Sequence, residues 1–163
     1  MDSAVSLRDE PALMMAYLRR QGPYATIPEA IQVLVTHLQR HRIGPAGPPT
    51  AVFHTDPHVV PEAEALWEVR MPVSDPVSEA EPGDDGVGLR RVPSRTLAVM
   101  VHIGPYASVA PSYANTQHWI DEHGYTVVGP PEEAYLSPPD TPEAAIRTEI
   151  RFPVEMEPVA LGG

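Results

Sequence analysis

Two glutamates occupy matching surroundings in the chain, Glu68 in Trp67-Glu68-Val69-Arg70-Met71-Pro72-Val73 and Glu149 in Thr148-Glu149-Ile150-Arg151-Phe152-Pro153-Val154. Each follows an aromatic residue in the preceding apolar segment, Phe53 and Tyr135. A carboxylate framed by rings suits a flat, polar or cationic organic molecule, because rings stack and attract positive charge while the carboxylate neutralises it. Cation–π contact contributes about 0.5–2 kcal/mol per ring. A partly desolvated ion pair at about 4 Å contributes up to about 4 kcal/mol, against about 1 in bulk water. Charge therefore governs selection only inside a closed pocket. The competing reading is structural, since Glu68 lies near Arg70 and Glu149 lies between Arg147 and Arg151, where solvated cross-strand pairs would account for both.

Other chemistry finds little support. The seven histidines include no His-x-x-x-His helix pair with an acidic partner or other spacing that converges ligands on a metal; His54 and His58 straddle a strand end and a loop. With no cysteine, disulfides, thiolate metal sites and thiol nucleophiles are excluded. No serine elbow, phosphate-cradling glycine loop or dinucleotide fingerprint occurs. No metal or cofactor is expected. Twenty-two acidic residues against eleven basic ones, all arginine, give a formal charge of −11, which repels nucleic-acid backbones and anionic lipid. Neither a charged leader nor an apolar run of about 20 residues is present, so a cytoplasmic protein is expected.

The elements that must position the carboxylates follow from periodicity. Thr26-x-x-Glu29 has capping-box spacing, and Ile27, Ile31, Leu34, Val35 and Leu38 continue at helical period, predicting a helix over 28–41. In the second half Ser108 is the expected cap, Val109, Tyr113 and Ile120 form the stripe, and Thr116 and Gln117 stand where the first half has Leu34 and Val35. Trp119 lies roughly 100° from that stripe and is expected half exposed, as a groove wall, an association contact or ordinary surface. Strand alternation places Trp67, Val69 and Met71 opposite Glu68 and Arg70, and Thr148, Ile150 and Phe152 opposite Glu149 and Arg151. Leu97, Val99 and Val101 alternate with Ala98, Met100 and His102. With the apolar faces on the helices, the uncovered faces are expected to carry Glu68, Glu149, Phe53, Tyr135, Met14, Leu18, Met100 and His102, with Tyr113 and Trp119 as further candidates from the second helix.

A shift of 82 residues superposes Gly22-Pro23-Tyr24-Ala25 on Gly104-Pro105-Tyr106-Ala107 and Gly47-Pro48-Pro49 on Gly129-Pro130-Pro131. After one deletion a shift of 81 brings Glu68 to Pro72 onto Glu149 to Pro153. Constant motif order predicts a tandem duplication, residues 1–75 and 84–156, joined by an acidic linker at 76–83 and followed by a tail at 157–163. The expected fold is α+β, each unit running strand-strand-helix-strand-strand, with a pseudo-twofold cleft between the units.

With the Gly-Pro-Tyr turns, Gly-Pro-Pro, Trp67-Glu68-Val69 and Arg147 to Val154 in view, the chain resembles the GyrI-like small-molecule-binding family over nearly its whole length. That family includes effector-binding domains of AraC-type and MerR-type multidrug regulators, gyrase inhibitory proteins and stand-alone copies. The resemblance implies a stand-alone domain that binds or sequesters lipophilic, often cationic compounds, with no direct contact to nucleic acid or membrane. It assigns the ligand-side glutamate to Glu149 and the aromatic to Tyr135. Members described as cyclopropane-opening hydrolases imply an alternative, in which Glu149 activates water and Tyr135 supports the leaving group. A gyrase-inhibitor-like role is the third implication.

Overall fold

The computed structural model describes residues 5–74 and 77–157. It is an α+β fold of nine antiparallel strands and two helices. In chain order these are β1 (Ser6–Glu10), β2 (Leu13–Gln21), α1 (Ile27–Arg40), β3 (Thr50–Phe53), β4 (Leu66–Pro72), β5 (Gly88–Val92), β6 (Arg95–Ile103), α2 (Ala110–Glu122), β7 (Tyr125–Val127), β8 (Glu132–Tyr135) and β9 (Arg147–Met156). The sheet order is β1-β6-β9-β8-β3-β4-β2-β5, with β7 added on β9. Exchanging β1 with β5, β2 with β6, β3 with β8 and β4 with β9 turns that order into its own reverse.

Only two residues separate β1 from β2, and they do not pair with each other. β1 instead pairs with β6, Leu7 opposite Ala98, and β5 pairs with β2, Leu89 opposite Ala16. Each half thus lends its first strand to the other. At the centre β3 pairs with β8, Ala51 opposite Glu133.

Both helices lie on one face. α1 packs on β2 and β4, and α2 on β6, β7 and β9. Trp67, Val69 and Met71 meet Ile27, Ala30, Leu34 and Leu38 in one core cluster, as the alternation predicted. A smaller cluster under α2 joins Ala98, Ile120, Ile150, Phe152 and Val154. Its helix is more polar, yet Thr116 is fully buried and satisfied by donating 2.7 Å to the Ser112 carbonyl. The indole of Trp67 donates 3.0 Å to the Gly22 carbonyl, tying β4 to the turn before α1. No helix among the described residues is long and apolar enough to cross a membrane.

Three local expectations change. α1 begins at Ile27, one residue early, and its capping box is not formed: the Thr26 hydroxyl donates back to the Pro23 carbonyl at 2.7 Å. α2 begins at Ala110 after Val109, and Ser108 makes the same backward bond to Pro105 at 2.8 Å. In both, Gly-Pro-Tyr forms a single 3-10 turn that leads into the helix. Gly22 and Gly104 there adopt φ of +136° and +128°, which a side chain would disfavour. The segment expected to be an acidic linker is, where described, paired at one point, Ala80 bridging Leu89. Residue 76 and the tail beyond residue 157 lie outside the described residues.

Gly88 packs against the ring of Tyr17, which Arg90 covers at 4.8 Å. A Cβ at residue 88 would sit 2.7–2.8 Å from three Tyr17 ring and hydroxyl atoms. Gly88→Ala is therefore expected to cost about 1–3 kcal/mol by overpacking. Urea unfolding measures it, and unchanged stability would show that the ring swings aside freely.

Candidate functional site

β3 and β8 lie at the middle of the sheet, between the strands that α1 and α2 cover. Their helix-side residues lie between the two helix-covered parts of the sheet. On β3 these are Ala51 and Phe53, since Ala51 is paired with Val69 and Glu133 and belongs to the core beneath α1. On β8 they are Glu133 and Tyr135, opposite Ile150 and Thr148 of β9.

Glu133 is the centre of this constellation. Tyr113, projecting from α2, donates its hydroxyl to Glu133 Oε2 at 2.5 Å, and Tyr135 donates to Oε1 at 3.3 Å. Among the described residues no cation forms an ion pair with this carboxylate. Burial pushes its pKa above the ordinary carboxylate value, although the two tyrosine hydroxyls and the charge of nearby His102 pull the other way. The tyrosines answer in kind. Burial, followed by the Glu133 charge, holds the Tyr113, Tyr135 and Tyr106 hydroxyls well inside their neutral range.

Two aromatic pairs flank the carboxylate. Tyr24 meets Phe53 edge-on at 5.5 Å, and Tyr106 meets Tyr135 edge-on at 5.7 Å. The Gly-Pro-Tyr turns therefore do more than end a strand: each swings a tyrosine over the aromatic residue of its own half. His102 closes one side, its Nδ1 3.0 Å from the Ser112 hydroxyl and its Nε2 3.2 Å from that of Ser108. A carboxylate, aromatic rings and neutral phenols, groups that can engage charge, ring faces and hydrogen-bonding partners, thus stand together on one face.

The opposite face of the sheet carries a different arrangement. Glu68 is fully buried and receives Arg70 Nε at 2.7 Å, Arg90 Nη2 at 3.1 Å and His54 Nε2 at 2.7 Å. Burial alone would raise its pKa, but the His54 and Arg70 bonds and the Arg70 and Arg90 charges outweigh this and hold it at about 2. Glu149 is clasped by both terminal nitrogens of Arg8 and by Arg151 Nε, and its pKa is lowered for the same reason. Glu132 takes Arg95 through two bonds. Two open cavities, about 590 Å³ beside β1, β6 and β7 and about 380 Å³ among Arg70, Arg90, Arg91 and Arg95, lie away from the aromatic constellation.

The sequence candidates are thus divided by the sheet. Phe53, Tyr135, Tyr113 and His102 come together around Glu133. Glu68 and Glu149 lie on the helix-free face, as predicted, but that face does not carry the rings, and arginines saturate both carboxylates. Met14 and Leu18 belong to the core beneath α1. Met100 and His102 face α2 instead of the uncovered side, because Met100 is paired with Ile150 and His102 with Thr148. Trp119 is half exposed, packed against the core beneath α2 and stacked on His123 at 4.0 Å and on Tyr125 at 6.2 Å. Glu133 itself went unnoticed in the sequence, although strand alternation puts it on the same face as Tyr135.

A carboxylate framed by aromatic residues thus stands between two helices on one face of an antiparallel sheet. The sequence model of the GyrI-like small molecule binding domain matches residues 3–155, and the chain belongs to that family. A curated relative, the DNA gyrase inhibitor of Erwinia billingiae (strain Eb661), is 31% identical over 119 residues, 71% of this chain and 75% of that protein. The fold is similar to the C-terminal domain of EcmrR, with a TM-score of 0.81, 20% identity and coverage of 96% of this chain and 99% of that one. Against the EcmrR chain solved in a DNA complex the TM-score is 0.79 at 19% identity, and the match covers 94% of this chain but only 57% of EcmrR. A hydrolase from Listeria innocua also shares the fold, with a TM-score of 0.70, 15% identity, and 93% and 91% coverage. Among the described residues no cluster of His, Asp or Glu is arranged to hold a metal ion.

Proposed function

We propose that this chain binds lipophilic aromatic cations in the helix-side cleft, with Glu133 as the charge partner and Tyr24, Phe53, Tyr106, Tyr113 and Tyr135 as the surrounding rings. The observation that carries the reading is the Glu133 carboxylate, enclosed by aromatic residues, hydrogen-bonded by two phenols and lacking an ion-pair partner among the described residues. A buried carboxylate without a cation is costly unless it is compensated, and a cationic ligand supplies the compensation. The same reading takes the chain as two copies of one unit related by a pseudo-twofold axis through β3 and β8, a view supported by the self-reversing strand order. On that axis Ala51 faces Glu133 and Phe53 corresponds to Tyr135, so the second copy carries the polar chemistry.

Fluorescence titration with a fixed aromatic cation, alongside a neutral isostere, tests the proposal. Saturable binding of the cation, at least tenfold tighter than the neutral compound, is expected. Equal affinities for the two would sink it.

A hydrolytic reading is favoured by one feature, the raised pKa of Glu133 beside two phenols. It would have Glu133, in place of Glu149, deprotonate water for attack on a strained ring, with a tyrosine hydroxyl protonating the leaving group. Mass spectrometry for water addition to a cyclopropane-bearing alkylator separates turnover from binding.

A further inference from the structure

Two hydroxyls on the cleft side of the sheet are buried and have no hydrogen-bond partner among the described residues, Tyr24 Oη and Thr148 Oγ1. Such groups are uncommon in folded proteins and call for an explanation. Neither hydroxyl makes a hydrogen bond to its neighbours. Thr148 is fully buried on β9 between His102 of β6 and Tyr135 of β8. The His102 nitrogens are engaged by Ser112, Ser108 and the Pro105 carbonyl, and the Tyr135 hydroxyl by Glu133. Tyr24 stands edge-on to Phe53, and burial, then the charges of Glu62, Asp56 and Glu133, raise its pKa. Glu133 receives the Tyr113 and Tyr135 hydroxyls and not that of Tyr24.

The two halves differ at this point in a telling way. The position equivalent to Thr148 in the first half is Trp67, whose indole fills its site and closes a hydrogen bond to Gly22. Threonine in its place leaves a buried hydroxyl without a hydrogen-bond partner among the described residues. Core packing alone would favour a residue without that hydroxyl.

We infer that the cleft ligand carries hydrogen-bonding oxygens, as ether, carbonyl or phenol groups, on either side of its cationic centre, and that the Tyr24 and Thr148 hydroxyls engage them. This rests on the binding reading above and narrows it, from lipophilic cations in general to oxygenated aromatic amines and their quaternary salts. Hydrocarbon cations satisfy Glu133 but leave both hydroxyls stranded. One recovered hydrogen bond changes affinity by about tenfold, so the hydroxyls rank ligands that the carboxylate alone treats as equal.

The experiment compares berberine, a planar cation with ring ether oxygens, with N-methylphenanthridinium, a planar hydrocarbon cation, on wild type, Tyr24→Phe, Thr148→Val and Glu133→Gln. Berberine is expected to bind wild type more tightly and to lose about tenfold with either hydroxyl deletion, while the hydrocarbon cation is unchanged. Melting temperatures of the two unliganded deletion variants should match or exceed that of wild type, because no bond is lost. The inference is overturned if the deletions weaken both cations equally or neither, if berberine fails to bind wild type, or if either deletion lowers the melting temperature by several degrees. Glu133→Gln separates the two levels. If it weakens both cations while the deletions affect neither, cation binding stands and the oxygen requirement falls; if it affects neither cation, the binding reading itself falls.

Discussion

Glu133→Gln is expected to weaken binding of a monocationic aromatic dye by about a hundredfold while leaving a neutral isostere within a factor of a few. An ion pair at about 4 Å contributes roughly 4 kcal/mol at the effective dielectric of a partly enclosed site. Desolvation of the ligand charge takes back a share, and about 2.7 kcal/mol, the free energy of two decades in affinity, remains. Glutamine keeps the shape and can still accept from Tyr113 or Tyr135, so the change isolates charge. The pH dependence follows from the direction of the shift. Burial raises the Glu133 pKa, so the ionised form that attracts a cation is fully present only above that raised value, and affinity falls as pH drops through it. The unliganded protein behaves in the opposite sense. There the ionised carboxylate is a cost, relieved as pH falls, and the glutamine variant should be no less stable than wild type at neutral pH. Isothermal titration at several pH values checks both parts, and indistinguishable dye affinities for wild type and variant would remove Glu133 from the site.

Glu68→Gln should act on stability and not on the cleft. The carboxylate is fully buried on the helix-free face, and its neutralisation leaves Arg70, itself nearly buried, without its anionic partner. Breaking a buried pair by removing one partner costs about 3–5 kcal/mol, a large fraction of the stability of a domain this size. Linkage gives a second estimate. The Glu68 pKa falls from 4.5 to about 2 in the folded protein, equivalent to about 3 kcal/mol. A depressed carboxylate contributes stability that is present above the unfolded value and lost as pH falls from about 5 to about 2. Urea unfolding at pH 7 should therefore separate wild type from variant widely, and at pH 2.5 the gap should narrow. A constant gap across that range would show that packing, not charge, sets the cost.

What the sequence disclosed, and what it hid, have physical reasons. α1, the core position of Trp67 and the helix-side face of Ile150 and Phe152 could be read because one face of each element is apolar and the other is charged. β6 misled because a strand buried on both faces offers two apolar sets, and Leu97 and Val99 are as buried as Ala98 and Met100. Alternation shows which residues share a face, but not which face the helix covers. Glu68 and Glu149 drew attention because both halves carry them, yet a charge retained at equivalent strand positions is what an interlocked arginine network requires. The distinctive carboxylate is the unmatched one. Ala51 and Glu133 are direct partners across β3 and β8, and a charge replacing a methyl group on an inward-facing strand position is the asymmetry that could have exposed the cleft.

The lending of β1 to β6 and of β5 to β2 bears on how the cleft accommodates its guest. Many two-lobed binding proteins close like a jaw about a flexible joint. Here the lobes are laced together by exchanged strands at both margins and by the β3–β8 ladder along the midline, so there is no joint about which they could swing. On the proposed binding reading, adjustment to guests of different outline would fall to Tyr24 and Tyr106 on their short turns, set against the laced sheet as a stiff frame.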